Sequence, residues 1–353
     1  MKNLQRFALF SAAAIAVVSA LSGCALSAGS SSGSSGSGGA QAAPIDFGPY
    51  CGQDCKAALT LKASQDSINC KVAFLDDATS FPYGAAQFSL ASQDAKKYFP
   101  NMDLTVQNGN NDPATQSSQL DTVVAQGTKV VVLDPVVAGA LAPAVQRATA
   151  QGVKVIAMDR TTTAPVLTTI KAPDIPLATR TAQYIADQLH GQGTVAILSG
   201  TPGASPTIDR TNGFMQVMQK YPGIKIVADV NGNYDTADGN TAVTNLLTKY
   251  PKGSLNFIFS EADAMSLGAI KAIAAADRQG DVKLAGIDGQ NEGFQAIKDG
   301  TYAATTVYPL VMPMGVVAAA KACANESMPA SIPLEYPLVT QANVDQYLGT
   351  TYN

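Results

Sequence analysis

Acidic residues directly follow several short apolar runs of this chain, and that placement can build one polar binding site. The runs and the residues after them are 72–75 with Asp76 and Asp77, 130–133 with Asp134, 155–158 with Asp159 and Arg160, and 284–287 with Asp288. Ligands of open α/β sheets bind beyond the carboxyl ends of the strands. We therefore expect these side chains to converge on one site, the alternative being that each aspartate only caps the helix after it.

Carboxylates beside an arginine suit a polyhydroxylated ligand such as a sugar. A carboxylate only accepts hydrogen bonds and has room for two hydroxyl donors, whereas arginine offers several fixed donors. Such charge-assisted hydrogen bonds are about twice as strong as neutral ones. The apolar faces of a sugar ring need flat partners, for which Phe81, Tyr83 and Tyr234 are candidates. Ordinary loop or core packing is the alternative for each aromatic residue.

The chain has few candidate catalytic residues and motifs. We therefore expect a binding protein with no cofactor and no metal rather than an enzyme. The only histidine, His190, ends an amphipathic helical pattern, and no Gly-x-Ser-x-Gly motif occurs. Residues 200–203 lack the Gly-Lys-Ser/Thr of a phosphate loop. Residues 229–235 lack the sixth-position glycine and the final glutamate of a calcium loop. A glycosidase-type pair of carboxylates is the enzymatic alternative.

Short β-branched runs alternate with helical segments from Cys70 onward, which predicts βαβ units and parallel sheets covered on both faces. The predicted strands are 72–75, 104–107, 130–133, 153–158, 194–198, 224–230, 257–260, 282–287 and 304–307. The predicted helices are 87–98, 114–125, 140–151, 178–190, 213–221, 241–250, 264–276 and 294–298. Asp112 and Asp263 are predicted to cap the helices that follow them.

Residues 1–23 have the pattern of a secretory signal peptide. Lys2 and Arg6 precede an uncharged apolar stretch that is shorter than the roughly 20 residues needed to span a bilayer. The run Leu-Ser-Gly-Cys that ends at Cys24 resembles the lipobox of bacterial lipoproteins, which implies that Cys24 carries the lipid. An ordinary signal peptide with a chance cysteine is the alternative.

Residues 24–50 are rich in serine, glycine and alanine and predict a flexible tether. Together with the lipobox, the tether predicts a domain anchored to the membrane on the outer, or periplasmic, face of a bacterial cell. The 353 residues carry a formal charge of −4 without any basic cluster, which argues against nucleic acid as a partner.

Four cysteines remain besides Cys24, and an even number outside the cell suggests disulfides. Four cysteines allow three pairings. We prefer a local Cys51–Cys55 bridge with Cys70 joined to Cys323. A zinc site at Cys51 and Cys55 is the alternative.

Over residues 71–339 the chain resembles the periplasmic sugar-binding proteins of ABC transporters, in particular the ribose-binding-like group. The runs that carry the resemblance are Asn110–Ala114, Gly127–Lys129 with Leu133–Pro135, Ile156–Arg160, Asp263–Ala269, Gly286–Gly289 and Tyr302–Thr306. The resemblance implies a type I solute-binding fold, with two Rossmann-like α/β lobes that have parallel central sheets and a three-crossing hinge. It places one lobe at residues 69–171 plus 309–335 and the other at 172–308 plus 336–353.

The resemblance also implies roles for individual residues. Asp159 and Arg160 match the family's sugar-binding pair of the first lobe, and Asp288 matches the carboxylate of the second. Tyr234 matches an aromatic residue that stacks on the sugar, and Asp134 matches a polar residue that faces the cleft. Phe81 and Tyr83 fall in the aromatic loop after the first strand.

Three positions depart from the family pattern. Ala262 replaces an asparagine, and Tyr308 stands where a polar residue, often glutamine, is usual. Ile208 replaces an expected arginine, for which nearby Arg210 is the candidate substitute. We therefore include Arg210 and Tyr308 among the binding residues and leave the identity of the sugar open.

The function implied by the resemblance is capture of a monosaccharide or related polyol and its delivery to an ABC importer. The expected partners are that ligand, the permease with its ATPase, and the membrane through the lipid anchor, with the protein itself a monomer. The alternative is a receptor of the same fold that presents a sugar or furanosyl signal to a sensor kinase or chemoreceptor.

Overall fold

Two sheets of short apolar strands form the framework of the computed structural model, which describes residues 42–352. The N-lobe sheet contains β1 (Lys71–Asp76), β2 (Asp103–Asn108), β3 (Val130–Leu133), β4 (Lys154–Met158), β5 (Thr168–Lys171) and β11 (Ser331–Pro333). The C-lobe sheet contains β6 (Gln192–Ser199), β7 (Gly223–Asn231), β8 (Phe257–Ser260), β9 (Lys283–Asp288), β10 (Ala304–Val307) and β12 (Leu338–Thr340).

The strand orders are β11-β5-β4-β3-β1-β2 and β12-β10-β9-β8-β6-β7. All pairs are parallel except β10 with β12. In the N-lobe, β1 pairs with β3 in the register Val72 to Val130. Parallel strands end at the same edge of a sheet, so this register brings the residues after β1, β3 and β4 to one edge.

Helices cover the sheets and complete the two α/β lobes that the sequence predicts. The N-lobe helices are α1 (Gln53–Leu59), α2 (Pro82–Tyr98), α3 (Pro113–Ala125), α4 (Ala138–Ala150) and α10 (Met314–Cys323). The C-lobe helices are α5 (Asp174–Gln188), α6 (Ser205–Met218), α7 (Thr236–Lys249), α8 (Asp263–Ala275) and α9 (Asn291–Lys298). The predicted fold class is confirmed.

The chain passes between the lobes at three places: after β5, between β10 and α10, and between β11 and β12. Backbone hydrogen bonds hold these crossings to the sheets. The N–H of Leu334 donates to the carbonyl of Lys171 at 3.1 Å, and the N–H of Tyr308 donates to the carbonyl of Asp288 at 2.8 Å. The second crossing therefore lies directly beside the end of β9.

The core of each lobe consists of strands that are apolar on both faces. Phe257, Ile258 and Phe259 of β8 are completely buried, and the ring of Phe259 stacks on that of Phe214 with centroids 4.4 Å apart. A parallel strand covered by helices on both faces must be apolar at every position. That requirement is why the continuous apolar runs predict nine strands correctly, whereas the short strands β5, β11 and β12 were not predicted.

Four predicted helix starts were wrong by four residues or more. Helix α2 begins at Pro82 rather than at 87, and α7 begins at Thr236 rather than at 241. Helix α5 begins at Asp174 rather than at 178, and α6 begins at Ser205 rather than at 213. The first turns of α5 and α6 contain Pro176 and Pro206, at positions where the missing N–H of proline breaks no intrahelical hydrogen bond. Helix α10 was not predicted, since almost every residue in it is buried and no polar face marks a helical period.

One of the two predicted caps is confirmed and the other is wrong. The carboxylate of Asp112 accepts from the N–H groups of Ala114 and Thr115, both at 3.1 Å. Asp263 is instead the first residue of α8, and its carboxylate accepts from the N–H of Gly289 at 2.8 Å. The hydroxyls of Thr305 in β10 and of Tyr302 just before β10 also donate to this carboxylate, so it holds the loop after β9 rather than its own helix.

Both disulfides of the preferred pairing are present. Cys51 is bonded to Cys55 at the start of α1, and Cys70 is bonded to Cys323 at the end of α10. The first bridge uses both thiols that a zinc site would need. The second ties α10 to the residue before β1, across 253 positions of sequence. Within residues 42–352, no helix is long and apolar enough to cross a membrane.

Candidate functional site

A cavity lies between the carboxyl ends of the two sheets and is lined by both lobes. Its volume is about 40 Å³, as the space open to the centre of a water molecule. The lining residues are Asp77, Phe81, Pro82, Tyr83, Gly84, Asp159, Arg160, Pro206, Arg210, Tyr234, Ala262, Ala264, Asp288, Gln290, Tyr308 and Tyr352. Eight of the nine predicted binding residues therefore lie at one site.

Arg160 organises the N-lobe side of this cavity. Its Nη2 lies 2.6 Å from Oδ2 of Asp77, and its Nε lies 3.7 Å from Oδ2 of Asp159. The carbonyl of Val136 accepts a further hydrogen bond from Nη1 at 3.2 Å. These contacts hold the guanidinium in place before any ligand arrives.

Asp134 does not line the cavity, which corrects its predicted place facing the cleft. Its side chain is completely buried, and Oδ1 lies 3.9 Å from Nε of Arg160. Strand β3, which ends just before Asp134, is in the middle of the sheet, and the cavity-lining Arg160 lies against this carboxyl group. Asp134 can act on a ligand only through Arg160.

Arg210 has the corresponding position in the C-lobe. Its Nε donates to Oδ1 of Asp174 at 2.8 Å, and its Nη1 donates to Oδ1 of Asp288 at 3.3 Å. Nη1 also lies 2.5 Å from the carbonyl oxygen of Glu261. Ile208, which stands at the position expected for arginine, is half exposed and does not line the cavity. Arg210 therefore supplies the guanidinium on this side.

Aromatic rings lie over both guanidinium groups. The Arg160 guanidinium carbon is 5.7 Å from the ring centroid of Tyr234, and that of Arg210 is 4.9 Å from the ring centroid of Tyr308. Both distances are within the range of a cation–π contact. Phe81 packs edge-on against Tyr234 with centroids 6.4 Å apart. The N-lobe arginine thus meets a C-lobe ring across the cavity.

Direct hydrogen bonds also join the lobes around the cavity. The N–H of Thr161 in the N-lobe donates to Oγ of Ser205 in the C-lobe at 2.9 Å. The hydroxyl of Tyr308, on the second crossing, donates to the carbonyl of Asp159 at 2.9 Å. The structure is therefore a closed arrangement of the two lobes.

Three lining residues have a positive backbone φ, which residues other than glycine rarely adopt. The values are 58° for Asp159, 60° for Tyr234 and 124° for Asp288. Such backbone costs about 1–3 kcal/mol per residue and persists where the surroundings hold it, typically at functional sites. Of the nine non-glycine residues with positive φ in residues 42–352, these three line the cavity, as expected of a functional site.

Burial and neighbouring charges shift the pKa values of the ionisable groups around the cavity. It raises the pKa of both Asp159 and Asp288, while Arg160 and Arg210 respectively oppose the shift. Burial alone would lower the pKa of Arg160, but Asp77, Asp134 and Asp159 outweigh it and raise that pKa. The arginines therefore stay charged.

A group of three carboxyls lies beneath the N-lobe side of the site. Asp76, Asp77 and Asp134 bring one oxygen each within 4.8 Å of the others, a spacing that could hold a metal ion. Burial, together with the charge of Asp77, raises the pKa of Asp76 to about 9. Asp76 is therefore protonated at neutral pH, which allows the three carboxyl groups to lie this close together.

Sequence reasoning missed three polar residues of the cavity. Asp77 was identified only as a strand end and not as a binding residue. Gln290 lies two positions after Asp288, in the loop that follows β9. Tyr352 had no signal in the sequence, since it reaches the cavity from the segment after β12. His190 is exposed and does not line the cavity, and Cys24 lies outside the described residues.

Comparisons with known proteins agree with this arrangement. The periplasmic binding protein domain matches residues 80–324. A xylitol-binding protein of Mycolicibacterium smegmatis is 30% identical over 248 residues, which are 69% of this chain and 70% of that protein. A ribose import binding protein of Haemophilus influenzae is 30% identical over 241 residues, 67% of this chain and 81% of that protein.

Among solved structures, one from Mycobacterium smegmatis in complex with β-D-fucofuranose is similar with a TM-score of 0.75 and 27% identity. The similarity covers 79% of this chain and 94% of that one.

Proposed function

This chain belongs to the periplasmic binding protein family, and we propose that it captures a monosaccharide or related polyol between its two lobes and delivers it to an ABC importer. Family membership implies a location outside the cytoplasm. The finer parts of the proposal are the class of ligand, the importer as partner, and attachment to the membrane through a lipid on Cys24, with the protein a monomer.

The observation that carries the proposal is the meeting of Asp159 and Arg160 with Arg210 and Asp288 at one interlobe cavity. The first pair follows β4 of the N-lobe, whereas the second pair belongs to α6 and β9 of the C-lobe. A ligand that hydrogen-bonds to both pairs must be enclosed by both lobes.

The charges around the cavity favour a neutral ligand. Among residues 42–352, Arg160 and Arg210 are the two cations in the lining, and each is already bonded to a carboxylate. Asp77, Asp159 and Asp288 bring three acidic groups to the same lining. An anionic ligand would find no unmatched positive charge, whereas hydroxyl groups can donate to the carboxylates and accept from the arginines.

The aromatic rings support a ligand with apolar C–H faces. Phe81 and Tyr234 meet across the lobes, and Tyr83 packs edge-on against Tyr308 with centroids 5.7 Å apart. Relatives named as xylitol-binding and ribose import binding proteins support the same class of small polyhydroxylated ligand.

Binding and delivery are linked through closure. Open lobes admit the solute, and contacts from both lobes favour the closed state. A ligand shifts this equilibrium only by its higher affinity for the closed state. We propose that residues 69–171 with 309–335 and residues 172–308 with 336–353 move as the two bodies, and that only the closed form delivers ligand to the permease.

A thermal-shift screen followed by calorimetry tests the proposal. We expect at least one of D-ribose, xylitol, L-arabinose, D-allose, glycerol or myo-inositol to raise the melting temperature, because a ligand that binds only the folded state stabilises it. Asp159→Asn should abolish that rise, whereas Asp121→Asn, at an exposed ion pair with Arg147, should keep it. A flat response to every compound would exclude the function.

Delivery and sensing begin with the same capture step, so binding alone does not separate the importer from the receptor alternative. Uptake of the identified ligand by vesicles that contain the permease and its ATPase makes the distinction. We expect uptake to require this protein.

A further inference from the structure

The segment after β12 folds back onto the start of α9, beside the cavity. Asn291, the first residue of α9, holds it through three hydrogen bonds. Its N–H donates to the carbonyl of Tyr352 at 2.9 Å, its Nδ2 donates to the carbonyl of Thr351 at 2.7 Å, and its Oδ1 accepts from the N–H of Gly349 at 3.1 Å. The backbone of Tyr352 is therefore fixed to the C-lobe.

The side chain of Tyr352 crosses from this anchored backbone toward the N-lobe. It is 8% exposed, lines the cavity, and packs edge-on against the ring of Tyr83 with centroids 5.6 Å apart. Gln290, which immediately precedes Asn291, lines the same cavity and is 2% exposed. The two side chains thus belong to one part of the cavity wall.

The hydroxyls of the other lining tyrosines are already used within the protein. Tyr83 donates to the carbonyl of Pro309 at 3.1 Å, and Tyr308 donates to that of Asp159. The hydroxyl of Tyr234 bonds that of Thr207 at 2.8 Å. These three rings can offer a ligand their faces and edges, but their hydroxyls are occupied as donors or paired.

Two buried polar atoms of the lining differ from these. Within residues 42–352, neither the hydroxyl of Tyr352 nor Oε1 of Gln290 has a hydrogen-bond partner. A buried polar group without a partner costs stability, and most such groups in native proteins are satisfied. Burial raises the pKa of Tyr352, with Asp288 adding to the shift, so its hydroxyl stays protonated and able to donate.

We propose that Tyr352 and Gln290 form a hydrogen-bonding subsite that recognises a hydroxyl group of the bound ligand. This inference rests on the proposed function and deepens it. A ligand hydroxyl both accepts and donates. It can accept from the phenol of Tyr352 and donate to the amide oxygen of Gln290, which satisfies both atoms at once.

The subsite requires that the ligand carry a hydroxyl group at this position. A compound that lacks the hydroxyl would leave two buried polar atoms unpaired in the closed state. Sites built to hydrogen-bond a substrate hydroxyl reject analogues without it far more strongly than apolar pockets reject a missing methylene. Tyr352 and Gln290 are therefore specificity-determining residues. Tyr352 also contacts Tyr83 of the N-lobe. A ligand bound at the subsite therefore meets both lobes, so binding there favours the closed state.

Calorimetry and thermal denaturation with D-ribose and xylitol as probes test the subsite in the full-length protein. The variants are Tyr352→Phe, which removes only the hydroxyl, and Gln290→Met, which keeps the chain length. Tyr347→Phe is the matched control, because Tyr347 lies in the same segment, packs against Phe294 at 5.9 Å, and does not line the cavity.

We expect Tyr352→Phe and Gln290→Met each to weaken binding of the better probe by about threefold to tenfold, the range for one neutral hydrogen bond. The ligand-free melting temperature of Tyr352→Phe should equal or exceed that of the wild type, since no partner within the protein is lost. Tyr347→Phe should bind as the wild type does.

Three results would overturn the inference. If wild type and both variants bind the probe equally, the subsite is wrong while the proposed function stands. If Tyr352→Phe lowers the ligand-free melting temperature by several degrees, the hydroxyl has a partner within the protein. If neither these probes nor the wider panel binds the wild type, the proposed function fails and the subsite with it.

Discussion

Arg210 donates a hydrogen bond to Asp288 at 3.3 Å, although the two residues are 78 positions apart and belong to different elements of the C-lobe. The second oxygen of Asp288 accepts from the N–H of Asp263 at 3.3 Å. The carboxyl group is therefore held at the cavity by a side chain and by the start of α8, with its backbone at a positive φ. Asp159 has the same combination of a neighbouring arginine and a positive φ in the N-lobe.

Replacement of either carboxyl group should weaken binding strongly and leave the fold intact. We expect Asp159→Asn and Asp288→Asn to weaken binding by at least about tenfold, because hydrogen bonds to charged groups contribute about 1.5–3 kcal/mol. Calorimetry measures the loss, and circular dichroism checks the fold. Asp121→Asn is the control. Wild-type affinity in both site variants would contradict the assignment.

A side chain at residue 200 should weaken ligand binding and the fold, because the ring of Tyr234 lies directly against Gly200. A Cβ at residue 200 would stand 2.0 Å from Cζ of Tyr234. In Gly200→Ala the ring must therefore move from its place between Phe81 and Arg160. We expect weaker ligand binding and a destabilisation of about 1–3 kcal/mol, typical of overpacking.

Gly139→Ala is the control for this experiment. Residue 139 lies exposed in the first turn of α4, and a Cβ there meets nothing within 4 Å. Alanine favours the helix more than glycine does, so this variant should be at least as stable as the wild type. Equal melting temperatures and affinities in the two glycine variants would contradict the assigned contact.

Stability should fall as the pH rises from about 5 to about 9. Burial raises the pKa of Asp76 to about 9, of Glu261 to about 8 and of Asp263 to about 6. In the unfolded chain these groups lose their protons near pH 4. Above that pH the folded state holds more protons, so the free energy of unfolding decreases as the pH rises through the folded pKa values.

Asp76→Asn should flatten this dependence, since an amide cannot ionise. Thermal denaturation across the pH range measures the slope, and Asp121→Asn should follow the wild type. A melting temperature that rises steadily toward pH 9 would mean that the buried carboxyl groups are ionised in the folded state.

The two disulfides should contribute unequally. Closing a loop removes entropy from the unfolded chain in proportion to the logarithm of its length. With 253 positions between Cys70 and Cys323, their bridge should contribute about 5.5 kcal/mol in that description. The Cys51–Cys55 bridge, across 4 positions, should contribute about 2 kcal/mol. Denaturant unfolding of the two paired Cys→Ser variants makes the comparison, and equal losses would contradict the loop-length account.

Cys24→Ser should release the protein from the membrane. If Cys24 carries the lipid, its loss should abolish incorporation of a fatty-acid label and move the protein to the soluble fraction. Ser22→Ala is the control, because it keeps a small residue before Cys24. Continued labelling of Cys24→Ser would exclude this anchor.

Nine of the twelve strands in residues 42–352 follow from local patterns in the sequence, whereas the order of the lobes follows from the family resemblance. A strand buried on both faces must be apolar throughout, and the residue after it lies at the carboxyl edge of the sheet. For this reason Asp159, Arg160 and Asp288 could be assigned to a common cavity before any coordinates were known. Phe81 and Tyr234 follow strand ends in the same way.

Contacts between distant segments decided the rest. Nothing near Asp134 in the sequence indicates that Arg160 lies against it, and nothing near Asp263 indicates that its carboxylate holds the loop after β9. Tyr352 lines the cavity with its backbone bonded to Asn291, 61 positions earlier in the chain. Periodicity and strand ends report which side of one element faces the core, so they predicted the alternating strands and helices with parallel sheets, and the resemblance to the sugar-binding family implied the two lobes. Only folding brings side chains from separate elements together, so the tertiary structure decided which of them line the cavity.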